Sequence, residues 1–182
     1  MTEVLRDELL PESSLWWRLA DPHWQNPLDP DFARVRGGRW NPPGSFPTLY
    51  LNEDVVTARL NLRAFIAAWP YEPEDLRDDT GPILVAVTLP RQQSVCDVHS
   101  REGVRAVGLP ASYPFEPDGR VVPHTRCQLV GVAAKDAALR GVRARSAQSR
   151  DGVGRELAWF PATARSVAQA RQRLSFDTWY YS

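Results

Sequence analysis

Two stretches of this chain hold residue types able to bind or transform a charged, planar ligand. The first is Gly37-Gly38-Arg39-Trp40-Asn41-Pro42-Pro43-Gly44. Its glycines permit backbone angles closed to other residues, and its paired prolines stiffen the end of the loop. Between them Arg39, Trp40 and Asn41 present a guanidinium, an indole and an amide suited to an anionic, planar ligand. The same composition also serves a rigid loop with a surface arginine. The second stretch sets Arg140, Arg143, Arg145, Arg150 and Arg155 around Ser146. That pattern fits either a solvated basic face or a phosphate pocket in which a hydroxyl supplements guanidinium forks. His23, His99 and His124 lie far apart without the spacing of metal ligands, so no metal is expected. The chain has no P-loop, GxGxxG or GxSxG sequence.

These residues need elements to hold them. Trp16 to Ala20 and Thr48 to Leu51 read as strands, with a Pro/Asp-rich loop after the first, from Asp21 to Asp31. Asn52-Glu53-Asp54 pairs an N-cap type residue with carboxylates that favour a helix start. In the helix begun there, Val55, Ala58, Leu62, Phe65 and Trp69 are spaced as a buried stripe, with Asn61 on its edge beside Thr57, Ala64 and Ala68. Tyr71 to Pro82 reads as a loop and Ile83 to Leu89 as the best core strand. Prolines make residues 90 to 124 irregular. Thr125 to Gln128 fits a capping box opening a helix that runs to about Leu139. Gly141 to Ser146 is a short alternating segment and Glu156 to Phe160 a strand. Ala162 to Leu174 reads as a helix, followed by a packed aromatic segment from Phe176 to Tyr181.

The 182 residues suit one domain with a real core, and 43% apolar with 24% charged residues exclude a disordered or coiled-coil chain. Lys+Arg and Asp+Glu are 22 each, which argues against direct nucleic-acid or membrane-surface binding. Neutrality hides a division: residues 1 to 90 carry 8 basic and 14 acidic side chains, and residues 91 to 182 the reverse. Cys96 and Cys127 are too few for a disulfide framework. No apolar run is long enough to span a bilayer, and the N-terminus is acidic without an apolar signal core. A cytoplasmic protein is expected.

The order Trp17-Arg18-Leu19, GGRWNPPG at 37 to 44, LYL at 49 to 51, a helix with Thr57-Ala58, and Gly141 to Ala147 resembles the RES domain family over about residues 15 to 160. That family is named for an arginine, a glutamate and a serine, and it includes the toxins of RES–Xre toxin–antitoxin modules. The resemblance implies an α+β (mixed α/β) fold similar to ADP-ribosyltransferases. It implies one compact domain over residues 1–182, with 161–182 packed onto the motif-bearing core. It also implies an activity that consumes NAD by phosphorolysis or hydrolysis at the nicotinamide–ribose bond.

Carried over residue by residue, the family arginine is Arg39, the strand tyrosine Tyr50, the serine Ser146, and Arg18 matches a further site arginine. On this resemblance Arg39 and Arg18 hold the pyrophosphate, while Tyr50 and Trp40 stack on or line the nicotinamide pocket beside Asn41. Ser146 binds ribose or phosphate, and an Xre-type antitoxin covers the pocket. The family glutamate falls on Asn61, which keeps hydrogen bonding but loses charge. Glu53 and Glu156 are the nearest candidates for a substitute carboxylate. The alternative is a diverged RES domain that binds a nucleotide or partner without efficient turnover. A third reading, from a different class, is an interaction protein that displays some of its seven tryptophans to a partner.

Overall fold

The computed structural model describes residues 5–12, 14–149, 151–163 and 166–182. The strands are β1 (Asp7–Leu9), β2 (Trp16–Ala20), β3 (Leu49–Asn52), β4 (Ile83–Thr88), β5 (Ser94–Val98), β6 (Gly141–Arg145), β7 (Arg155–Trp159) and β8 (Gln169–Leu174). The α-helices are α1 (Asp31–Arg36), α2 (Val55–Ile66), α3 (Arg101–Ala106), α4 (His124–Asp136) and α5 (Phe176–Tyr180). All eight strands form one sheet in the order β1-β5-β6-β7-β3-β2-β4-β8. Neighbours are antiparallel except β5 and β6. The mixed α/β class read from the sequence is the one observed.

Alternation along each strand assigns the faces. Leu49, Leu51, Leu157 and Trp159 join Val85 and Val87 in one buried layer. On the other face Val142, Ala144 and Ala158 pack with Val104 of α3 and Cys127 and Val130 of α4. A separate cluster forms where Ala58, Leu62 and Ile66 of α2 meet Phe176 and Trp179 of α5. Each fully buried aliphatic side chain of this kind stabilises the fold by roughly 1.5–3 kcal/mol.

The register sets Tyr50 opposite Ala158 and Asn52 opposite Glu156. Tyr50, Asn52 and Glu156 therefore rise on the helix-bearing face, with the α3/α4 core on one side and the α2/α5 core on the other. Here the sheet opens. β2 and β3 share only the pair Trp17–Asn52, whereas β2 is paired with β4 along its whole length.

Several local expectations are corrected. Asp54, not Asn52, caps α2, accepting from the Thr57 amide at 2.6 Å. The buried stripe of α2 is Thr57, Ala58, Leu62 and Ile66; Phe65 and Trp69 are exposed. The capping box at Thr125 does not form, because α4 begins at His124 behind Pro123 without a side-chain cap. Residues 169–174, read as helix, form the edge strand β8 against β4. The elements β1, α1, β5 and α3 escaped the sequence reading. Among the described residues no helix is long and apolar enough to cross a membrane.

Candidate functional site

The Gly37-to-Gly44 loop is built around Tyr50. Its hydroxyl donates to Asn41 Oδ1 at 2.7 Å and accepts from the Trp40 amide at 2.9 Å. A side chain on Gly38 would place Cβ 2.3 Å from that hydroxyl, so only glycine lets the ring approach. Gly37 has φ +73°, a left-handed conformation that glycine adopts without steric cost. Helix α4 clamps the loop from outside: Gln128 Nε2 donates to Gly38 O at 2.9 Å, and a Cβ on Gly131 would meet Trp40 O at 1.7 Å.

This packing corrects two expected roles. Trp40 is 1% exposed and lies in the core against Tyr113, so it offers no platform to a ligand. Asn41 is fully buried, with its amide donating to Ala33 O at 2.7 Å, and it holds the loop closed. Burial pushes the Tyr50 phenol well above its ordinary pKa, so it acts as a neutral hydrogen-bonding group.

A cavity of about 150 Å³ opens where β2 leaves β3, lined by Arg18, Leu19, Tyr50, Leu51, Asn52, Asn61 and Glu156. The Arg18 guanidinium donates to Tyr50 O at 2.9 Å, and burial pushes its pKa down to about 10. It remains a cation at neutral pH. Asn61 reaches down from α2, its Nδ2 donating to Asn52 Oδ1 at 2.6 Å and to Glu156 Oε1 at 2.9 Å. Asn52 Nδ2 in turn donates to Trp17 O at 3.1 Å across the sheet opening. Ser146 Oγ donates to Glu156 Oε1 at 2.5 Å and accepts from the Gln148 amide at 3.2 Å. Ser146 is fully buried behind the carboxylate, so its hydroxyl positions Glu156.

Arg18, Tyr50 and Asn61 therefore meet at one cavity, with Ser146 one hydrogen bond behind it. Arg39 does not line the cavity. Its NH1 donates to Val122 O at 3.2 Å. Among the described residues, the arginines around Ser146 do not line the cavity either. Arg143 pairs with Glu53 at 2.5 Å and with Glu8 at 3.3 Å. Arg145 donates to the carbonyls of His99 and Tyr113 at 2.8 and 3.0 Å, and Arg155 to the carbonyls of its own turn. Arg150 lies outside the described residues.

Asn52 is the site residue that sequence reading passed over as a helix cap. The signal was period-two alternation, which places it on the same face as Tyr50. An outer cleft of about 610 Å³ shares Arg18, Leu19 and Asn61 with the cavity and is bordered by Trp24, Phe65 and Trp69. Together they fall in the usual size range of small-molecule sites. A larger cleft of about 850 Å³ lies elsewhere, between Pro27, Leu28, Ala168 and Ala170. Glu8, Asp97 and His99 also cluster, but their hydrogen bonds run to one another and to Ser100 and Arg143.

The model of the RES domain matches residues 15–180. A search of curated proteins finds no match. Among solved structures, the chain is similar to one in the crystal structure of the M. tuberculosis MbcT–MbcA toxin–antitoxin complex, with TM-score 0.72 and 23% identity over 93% of this chain and 90% of that one. At that identity the likeness is one of fold.

Proposed function

Since the chain belongs to the RES domain family, we propose that it acts on NAD, breaking the nicotinamide–ribose bond with water or inorganic phosphate as acceptor. The observation that carries this reading is the cavity at the sheet opening, where a buried cation, an aromatic ring and a hydrogen-bonded amide–carboxylate pair face one space. Such a mixture suits a dinucleotide, which brings a dianionic pyrophosphate, a planar base and ribose hydroxyls. The outer cleft supplies the length that the cavity lacks.

In the reaction the C1′–N bond breaks and its electron pair passes to the pyridinium nitrogen, releasing neutral nicotinamide. Positive charge develops on the ribosyl carbon and ring oxygen. Water then gives ADP-ribose and a proton; phosphate gives ADP-ribose phosphorylated at the anomeric carbon. Arg18 pairs with the pyrophosphate, and its desolvated guanidinium gains from an anionic partner. Tyr50 presents its ring to the nicotinamide, held by the two hydrogen bonds at its hydroxyl. Asn61 orients the ribose. Arg39 ties its loop to the segment before α4 through Val122 O.

The fold shared with a chain of a toxin–antitoxin complex supports a role as the toxin of such a pair, with a protein antitoxin covering the outer cleft. Purified protein incubated with NAD, with and without phosphate, is expected to release nicotinamide, and ADP-ribose is expected to bind by calorimetry. Binding of NAD without product favours a non-catalytic nucleotide-binding domain, for which the missing glutamate at Asn61 is the motivating observation. Absence of both removes either reading.

A further inference from the structure

We infer that the carboxylate which the RES resemblance places on α2 is carried in this chain by Glu156 on β7, at the other end of one hydrogen bond from Asn61. This rests on the NAD-cleaving reading and deepens it. Glu53, the other nearby carboxylate, is turned away from the cavity and bound to Arg143. Glu156 lines the cavity. Among the described residues both hydrogen bonds to its carboxylate fall on Oε1, one from α2 and one from the β6–β7 turn. Oε2 is left for a ligand.

A carboxylate fixed by two donors before substrate arrives is the arrangement that stabilises developing positive charge without reorganisation. Asn61 is matched to this placement. Its amide donates to both Asn52 and Glu156, which a glutamate at the same position cannot do. Glutamate at 61 would instead set two carboxylates in contact.

The test compares wild type, Glu156→Gln, Asn61→Glu and the double variant Asn61→Glu/Glu156→Gln by nicotinamide release and by Tm. Glu156→Gln is expected to lower kcat on the order of a hundredfold with Tm close to wild type. Asn61→Glu is expected to lower Tm at pH 7, and the double variant to restore Tm and raise kcat at least about tenfold above Glu156→Gln, because one carboxylate and one amide again share the hydrogen bond. An active wild type with an equally active Glu156→Gln overturns this inference alone. An unchanged Tm in Asn61→Glu overturns the contact on which it stands, whatever the activity. A wild type that releases no nicotinamide overturns both this inference and the reading beneath it.

Discussion

At the scale of single residues, the site depends on side chains whose polar atoms are already committed. Tyr50 is the clearest case, since its hydroxyl serves the Trp40 amide and the Asn41 side chain together. Tyr50→Phe should cost about 1–3 kcal/mol, because both partners are left buried without a replacement; urea unfolding checks this, and an unchanged midpoint would mean that the loop is held otherwise. Motif positions matched to the RES family pointed to Arg18, Tyr50 and Asn61, and the fold sets all three around one cavity. The same matching gave the wrong weight to Trp40 and Asn41, because a motif marks which residues matter and not which way they face. An indole in a ligand loop and an indole in a core have the same letter, and the packing against Tyr113 decides between them. Glu156 was visible as a carboxylate of suitable sequence position. Its hydrogen bonds to Ser146 and Asn61 are contacts across three elements that no local pattern encodes.

At the scale of elements, the GRWN loop and helix α4 form one unit, joined by the close approach of Gly131 to Trp40. Gly131→Ala should destabilise by about 1–3 kcal/mol or more, since neither backbone can yield without moving the buried Trp40. Thermal unfolding beside a Gly44→Ala control, where a Cβ meets open space but φ is +72°, separates crowding from backbone strain. The control should lose less, and equal losses would contradict the clamp. The apolar or alternating strands β2, β3, β4 and β7 could be read because their side chains carry the pattern of a buried layer. β8 could not: Gln169 to Leu174 is polar, exposed and rich in helix-favouring residues, and pairing with β4 overrides that preference. β5 is short and its apolar run is broken by the buried Asp97, and α1 and α3 are too short to show a helical period.

At the scale of the whole molecule, zero net charge conceals an acidic half and a basic half, and the fold brings them together. Arg143 of the second half binds Glu8 and Glu53 of the first, while Arg6 lies 3.4 Å from Asp97. These pairs brace strands β1, β5 and β6 against one another. For Glu8, burial would raise the pKa, but His99 and Arg143 outweigh it and the net shift is downward; for Asp97, hydrogen bonds from Ser100 and His99 likewise overcome burial. A depressed folded pKa contributes stability above the unfolded value of about 4 and loses it as pH falls through the folded value. Unfolding free energy should therefore decline in acid below about pH 4, and Glu8→Gln should flatten that decline. Urea titrations across pH check the slope, and an unaltered slope in the variant would exclude Glu8 as a contributor. The central claim is that the opening between β2 and β3 is a site of NAD cleavage. Its most direct measurement is chromatographic quantification of nicotinamide released from NAD by the purified wild type beside Glu156→Gln. Release by the wild type that falls on the order of a hundredfold in the variant is the predicted result; no release by the wild type at high protein concentration, with or without phosphate, would contradict it.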